Sequence, residues 1–202
     1  MDPNLPLEIV DHLRAEIRSG RIPAGATLQQ EDLAGRFGVS RQPVRLALES
    51  LRAAGWLVPG RGRSLKVVEM SPEALRNLVA VRRLVEGEAL TLAMPHRTDR
   101  DVLEAAHLQE RIEIETDPQA LEELDAAFHA VLYRAGGNPR LLALVDELRR
   151  EDRRSYHKQQ PDTAIRAVWS EQHRALLDAF RAGDAARASA ALDTHLAHLI
   201  ER

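Results

Sequence analysis

The sequence contains no cysteine, and aromatic residues make up only 3% of its 202 residues. Without cysteine there is no disulfide, no thiolate nucleophile and no cysteine zinc site, so a metal would need histidine and carboxylate ligands. Eight histidines make such a site possible. The sequence also has no run of eighteen apolar residues and no secretory signal pattern. These two absences predict a cytoplasmic protein that does not enter the membrane.

The net charge of -3 is small, but it is unevenly distributed. Residues 1–68 carry ten Lys plus Arg and seven Asp plus Glu, whereas the remainder carries 18 against 24. Between Arg36 and Lys66 there are seven cations and a single acid, Glu49. A local excess of this kind favours an anion-binding surface, with nucleic acid as the usual partner.

The first part of the chain predicts three helices followed by a hairpin. Apolar residues four apart mark a helix over residues 5–20, and two more helices are predicted over 29–37 and 40–54. Only Gly38, Val39 and Ser40 separate the second helix from the third, where Ser40 is placed to cap. The buried face of the third helix is expected to carry Val44, Leu46, Ala47, Leu48 and Leu51. Two short β-prone runs, 56–58 and 65–68, flank a basic, glycine-rich tip. This order is typical of a winged helix-turn-helix.

From Ser71 onward the pattern is helical, and proline and glycine mark the breaks. Six helices are predicted, at about 72–94, 100–115, 118–135, 139–158, 163–181 and 184–201. We therefore expect a mainly α protein in which a winged helix-turn-helix (residues 1–69) precedes an all-α six-helix bundle (residues 70–202).

The third predicted helix carries side chains suited to reading DNA. Arg41 and Arg45 are four apart and share one face, and Gln42 points a third of a turn away. Arginine can hold guanine with two hydrogen bonds, and glutamine can do the same with adenine. The predicted DNA-binding residues, including those expected to hold phosphates, are Arg36, Ser40, Arg41, Gln42, Arg45, Arg61, Gly62, Arg63 and Lys66. The alternative is a solvated basic surface on a small helical domain.

Four residues of the C-terminal half form a possible metal site. Asp125 and His129 are one helical turn apart, and His173 and His195 lie on two later predicted helices among apolar residues. If these helices face one another, the set of nitrogen and oxygen ligands suits zinc first, with nickel, manganese or iron possible. Periodicity alone also permits each histidine to be an ordinary hydrogen-bonded residue.

Two resemblances to a known family bear on these alternatives. The run LAGRFGVSRQPVR at 33–45, with GWLV at 55–58, resembles the winged helix of the GntR family of bacterial transcription regulators. It departs at Leu46, where the family usually has glutamate. The C-terminal half resembles the ligand-sensing FCD domain of the FadR subfamily, and its six helices resemble the VanR-like group. The motifs that carry this resemblance are VRRLVE at 81–86, DAAFH at 125–129, GNP at 137–139, EQHR at 171–174, GDA at 183–185 and HL at 195–196.

The resemblance implies a repressor that responds to a ligand. The family's metal ligands fall on Asp125, His129, His173 and His195, and a small organic acid binds beside the metal. Arg82 is a candidate to pair with the carboxylate of that effector, because a guanidinium can donate two parallel hydrogen bonds to it. Two copies of the chain are expected to read the half-sites of a near-palindromic operator as a homodimer.

Two other functions remain open on the residues alone. A metal held by three histidines and an acid could activate water, as in a metal-dependent hydrolase with an accessory DNA-binding domain. However, Glu171, the nearest candidate base, is offset from the metal side of its helix, and the sequence has no other catalytic motif. The chain could also be a DNA-binding dimer that senses nothing. We expect a regulator without enzymatic activity.

Overall fold

The computed structural model describes residues 4–18, 20–62, 64–155 and 163–200, with side chains omitted at 153–155 and 163–164. Within these ranges the chain falls into two compact units, each with its own hydrophobic core. The described part is mainly helical, as predicted, and its strands all lie in the N-terminal unit. None of its helices is long and apolar enough to cross a membrane.

The N-terminal unit contains α1 (Leu5–Arg18), β1 (Thr27–Leu28), α2 (Gln30–Phe37), α3 (Arg41–Ala53), β2 (Leu57–Pro59) and β3 (Leu65–Val67). The predicted apolar faces of α1 and α3 supply most of its core, since Leu13, Ile17 and Leu51 are completely buried. Leu46 was expected on the buried face but is 40% exposed, whereas Pro43 is buried in its place. The reason is that α3 turns its narrow apolar stripe, at 44, 47, 48 and 51, toward α1.

The strands form a three-stranded antiparallel sheet in the order β1-β3-β2. The predicted hairpin is present as β2 and β3, with Leu57 opposite Val67. Strand β1 was not predicted. It pairs with the other edge of β3, where Leu28 faces Leu65. Two residues are too few for a periodic signal, so only the tertiary fold reveals this strand.

The turn between α2 and α3 has the length that the sequence predicts. Helix α2 ends at Gly38, and the Val39 N–H donates to the Ala34 carbonyl oxygen at 3.0 Å. Ser40 occupies the N-cap position of α3, but its side chain makes no capping hydrogen bond and is exposed. The expected capping role of Ser40 is therefore not seen.

The described part of the C-terminal unit contains six α-helices, as predicted, and two short 3-10 turns at Met94–His96 and His198–Ile200. The helices are α4 (Pro72–Ala93), α5 (Asp99–Ile114), α6 (Pro118–Arg134), α7 (Pro139–Ser155), α8 (Thr163–Ala182) and α9 (Ala185–Ala197). Their starts follow local chemistry: Ser71, Asp117 and Asp184 each accept a hydrogen bond from a backbone N–H in the first turn. The predicted extension of α7 to residue 158 lies partly outside the described residues.

The core of this unit combines large apolar side chains with buried polar ones. Phe128, Tyr133 and Phe180 are among its largest fully buried residues. Buried polar groups need partners, so a set of them inside one core indicates a functional site. The set is Arg82, Glu86, Gln109, His129, Arg149, His173 and His195.

Candidate functional site

The structure brings together the four residues that the sequence proposed as metal ligands. One ligand atom from each of Asp125, His129, His173 and His195 lies within 4.8 Å of the others. The Asp125 Oδ1 atom is 3.7 Å from His129 Nε2 and 3.5 Å from His173 Nε2. Helix α6 supplies the first two residues, α8 supplies His173 and α9 supplies His195. The helices therefore converge as a common metal site requires, and this His/Asp cluster could hold a metal ion.

Glutamine side chains orient two of the three imidazoles. His173 Nδ1 donates to Gln109 Oε1 at 3.0 Å, and His195 Nδ1 donates to Gln172 Oε1 at 3.2 Å. The Gln109 amide is itself fixed, because its Nε2 donates to Glu113 at 2.9 Å. An amide oxygen can only accept, so each imidazole carries its proton on Nδ1 and keeps a lone pair on Nε2. This is the form in which histidine binds a metal through Nε2.

A tyrosine orients the third imidazole in the same sense. Tyr133 donates its hydroxyl proton to Glu86 Oε2 at 2.9 Å. Its oxygen is 3.2 Å from His129 Nδ1 and therefore accepts the proton of that nitrogen. His129 and His173 thus each direct an unprotonated Nε2 toward Asp125, and the Gln172 contact leaves the Nε2 of His195 unprotonated as well.

The electrostatics of the site keep these imidazoles neutral. Burial lowers the pKa of His173 to about 4 and that of His129 well below its usual range, with Arg149 lowering it further. Burial and the neighbouring His173 lower the pKa of His195 in the same way. The Nε2 atoms of His129 and His173 are buried with no hydrogen-bond partner among the described residues. Orphaned buried nitrogens are costly, and a bound cation would satisfy them, so the residues present fit a metal.

The arginine beside the ligand set is Arg149, which sequence analysis did not single out. Its Nη2 donates to Asp125 Oδ2 at 2.7 Å and its Nη1 to Glu86 Oε2 at 2.8 Å. Arg82, which the sequence predicts to pair with the effector carboxylate, is buried and forms ion pairs within the chain. Its Nε donates to Glu86 and its Nη1 to Asp152, both at 2.7 Å, so these nitrogens already serve two carboxylates of the chain. No local pattern marks Arg149, because its partners are far away along the chain.

The proposed DNA-reading side chains lie together on α3, where Arg41 and Gln42 are exposed and Arg45 is half-buried. Each arginine has an acidic partner. Arg41 Nη1 is 2.7 Å from Glu31, and Arg45 Nη1 is 2.7 Å from Glu49. Gln42 accepts a hydrogen bond from Arg45 Nε at 3.3 Å.

A groove of about 870 Å³ runs between α2, the start of α3 and the wing. Arg61, Ser64 and Lys66 line its wing side, and Arg41 lines its helix side. Gly62 is exposed at the wing tip, whereas Arg63 lies outside the described residues.

Two predicted phosphate contacts are also engaged with acids in this structure. Arg36 pairs with Glu16, which is 6% exposed, and its guanidinium lies over the Phe37 ring at 5.4 Å. Lys66 Nζ is 3.5 Å from Glu69. The local excess of positive charge is therefore smaller than the sequence window suggests.

Two family models match the chain. The model for bacterial regulatory proteins of the gntR family matches residues 5–67, and the FCD domain model matches residues 77–198. The chain belongs to the GntR family of regulators, with an FCD domain. The transcriptional regulator LutR of Bacillus subtilis is 31% identical to this GntR regulator, over 91% of this chain and 94% of LutR.

Other relatives agree with this assignment. A probable D-xylose utilization operon repressor of Paenarthrobacter nicotinovorans is 28% identical, over 94% of this chain and 84% of its own. The crystal structure of a putative regulator GntR from Rhodococcus sp. RHA1 is 25% identical, covers 97% of this chain and 95% of its own, and has a TM-score of 0.72. The GntR regulator is therefore a DNA-binding transcription regulator and not an enzyme, which decides against the metallohydrolase alternative. Its place in the VanR-like group stays a prediction.

Proposed function

We propose that this GntR regulator is a homodimeric repressor whose FCD domain binds a divalent metal and a small organic acid. Residues 1–69 read the operator, and residues 70–202 dimerise and bind the effector in the bacterial cytoplasm. The observation that carries this proposal is the pair of buried, unpartnered Nε2 atoms of His129 and His173, both close to Asp125.

The metal ligands in this proposal are Asp125, His129, His173 and His195. Imidazole and carboxylate ligands suit zinc, which we place first, and also nickel, manganese or iron. A bound metal would supply open coordination positions for a carboxylate. The chain itself supplies neutral imidazoles and buries them away from water, and Arg149 fixes the Asp125 carboxylate beside them.

A carboxylate effector would occupy the open coordination positions of the metal. The Escherichia coli relative named as a putative L-lactate dehydrogenase operon regulatory protein is 28% identical over 94% of this chain, which supports a small hydroxy acid or a related carboxylate. Binding of the acid shifts the relative placement of the two winged helices in the dimer and releases DNA. The effector can produce this change only if it binds the arrangement of the dimer that releases DNA more tightly than the arrangement that holds DNA.

On DNA, Arg41, Gln42 and Arg45 enter the major groove, and Ser40 and the wing residues contact phosphates or the minor groove. One recognition helix contacts too few bases to select an operator, so two copies are needed. Helix α4 leaves Val81 44% exposed and Leu84 76% exposed, which supports association with a second copy.

Metal content per protomer tests the central part of this proposal. Untagged protein purified without chelator is analysed by mass spectrometry, with His129→Ala beside it. His107→Ala is the matched control, because His107 is exposed and outside the cluster. We expect about one metal per protomer in the wild type and in His107→Ala, and none in His129→Ala. Full retention in His129→Ala, or no uptake of zinc, nickel or manganese by the wild type, contradicts the site.

The response is tested by DNA binding. A duplex selected by the protein from random sequence is titrated with the metal-loaded regulator, with and without acetate, lactate or malate. If one acid lowers the affinity for the selected duplex and leaves the affinity for a duplex of unrelated sequence unchanged, the result supports a sensing repressor. Saturable DNA binding that no carboxylate changes supports the non-sensing dimer instead.

A further inference from the structure

A continuous chain of hydrogen bonds links two of the four candidate ligands, His129 and Asp125. His129 donates to the Tyr133 oxygen, and Tyr133 donates to Glu86 Oε2 at 2.9 Å. Arg149 reaches the same Glu86 oxygen at 2.8 Å and reaches Asp125 Oδ2 at 2.7 Å. The other Asp125 oxygen, Oδ1, lies 3.7 Å from His129 Nε2 without a hydrogen bond between them, so the chain of hydrogen bonds starts and ends at the two ligands. One buried carboxylate, Glu86 on α4, thus acts on a ligand pair that belongs to α6.

We propose that Glu86 is a positioning residue for metal binding, acting on His129 through Tyr133 and on Asp125 through Arg149. This inference rests on the proposed function, since it concerns how well the chain holds the ion. In the part of the chain that the structure describes, Glu86 accepts hydrogen bonds from Arg82, Tyr133 and Arg149 and not directly from any of the four candidate ligands.

The first effect of Glu86 is on His129. Because Glu86 accepts the Tyr133 proton, the tyrosine oxygen is left to accept from His129 Nδ1. That bond fixes the tautomer with its lone pair on Nε2 and also fixes the ring plane. Without the carboxylate, the Tyr133 hydroxyl can turn and donate to Nδ1 instead, which would leave the proton on Nε2 and block ligation.

The second effect is on Asp125 and on the local charge. Arg149 holds one oxygen of Asp125 and leaves the other beside the imidazoles. A guanidinium so close to a divalent ion would repel it, and Glu86 offsets this because it lies between Arg149 and Arg82. Glu86 is completely buried, so little water is available to screen these charges. Removing its charge leaves the cations uncompensated where a metal must enter.

The test measures Zn²⁺ affinity of the full-length protein by competition with a chromophoric chelator. The variants are Glu86→Gln, Tyr133→Phe and the two combined. Loss of an outer-shell partner typically weakens metal binding about 10- to 100-fold, and we expect each single variant to fall in that range. The two losses of zinc affinity should not multiply. The double variant should bind zinc only slightly more weakly than the weaker-binding single variant, because both substitutions break the same hydrogen-bond path to His129. Glu104→Gln, which removes an exposed carboxylate paired with Arg134, is the control and should bind zinc as the wild type does.

A second measurement separates positioning from a general loss of stability. The visible absorption bands of bound Co²⁺ report the ligand set, and they should shift in Tyr133→Phe, which keeps the aromatic ring in the core. Should Glu86→Gln fail to fold, Tyr133→Phe still tests the path from Glu86 to His129, and wild-type zinc affinity in that folded variant overturns this path. If the folded variants have the zinc affinity and the cobalt bands of the wild type, the proposal for Glu86 is overturned and the metal site itself is not. Failure of the wild-type protein to bind zinc overturns the metal site as well, so the two outcomes are distinct.

Discussion

Arg41 at the start of the recognition helix forms an ion pair with Glu31 of α2, with 2.7 Å between Nη1 and Oε1. Both side chains are well exposed, at 70% and 65%. The carboxylate competes with DNA phosphates for the guanidinium and also repels them. We therefore predict that Glu31→Gln raises affinity for DNA without an operator by about two- to fivefold at low salt. Fluorescence anisotropy measures this DNA affinity at several salt concentrations, and the gain in affinity should shrink as the salt concentration rises.

Asp32→Asn is the matched control for this prediction, because it removes the same charge from the neighbouring residue in the first turn of α2. An equal gain in both variants would mean that net charge alone matters and that the Arg41 pair has no part in it.

We expect the Arg45 side chain to exchange its ion pair with Glu49 for a base of the operator. Arg45→Ala should therefore weaken operator binding by about 1–3 kcal/mol. Binding to unrelated duplex should change much less, because base contacts specify and phosphate contacts position. Arg52→Ala removes the same charge from the last turn of the same helix and serves as the comparison. Equal losses at both positions, on both kinds of DNA, would remove Arg45 from the reading face.

Asp101 gives the C-terminal unit a defined pH dependence. Burial alone would raise the pKa of Asp101, but hydrogen bonds from Thr98 and Arg134 outweigh it and hold the pKa below its ordinary 3.8. A lowered pKa stabilises the folded state above about pH 4, and this stability is lost as the pH falls through the folded pKa. Asp101→Asn should therefore cost about 1–2 kcal/mol of unfolding free energy at pH 7 and much less near pH 2.

Urea denaturation at both pH values measures the difference. Glu104→Gln, which removes the exposed partner of the same Arg134, should have a small effect at either pH. A cost for Asp101→Asn that does not change with pH would show that lost packing, not lost charge, destabilises the variant.

Gly183 and Gly137 provide a matched pair for a stability test. Both have positive φ, +71° and +68°, which an L side chain rarely adopts. A Cβ at Gly183 would also contact the Arg97 guanidinium, which donates to the Phe180 carbonyl at 2.6 Å, whereas a Cβ at Gly137 would meet nothing within 4 Å. We expect Gly137→Ala to cost about 1 kcal/mol and Gly183→Ala clearly more. Thermal melting of the two variants compares them, and equal costs would mean that Arg97 moves aside freely.

The helices were predictable because their signals are local. Ser71, Asp117 and Asp184 cap helices within three residues of themselves, and the apolar periodicity follows directly. The spacing of Asp125 and His129 within α6 is visible in the sequence. Only a fold can bring His173 and His195 to His129, so these two ligands were predicted from the family resemblance.

Charges were predicted less well, because their partners are distant in sequence. The window from residue 36 to 66 contains one acid, yet Glu16, Glu31 and Glu69 from outside it pair with Arg36, Arg41 and Lys66. Arg149 and Glu86 are separated by 63 residues, so no spacing rule connects them. Arg82 was proposed as an effector contact because of its guanidinium chemistry, and in the structure two of its nitrogens donate to Glu86 and Asp152.

The small strand β1 has a consequence for how the wing meets DNA. Since β3 is hydrogen-bonded on both sides, by β1 and by β2, the base of the wing is an inner strand and not one arm of a free hairpin. Conformational entropy that a loose hairpin would lose on binding has already been lost during folding. The wing therefore approaches the duplex as a preorganised element, and loosening the pairing of Thr27–Leu28 with β3 should weaken DNA binding through this lost order.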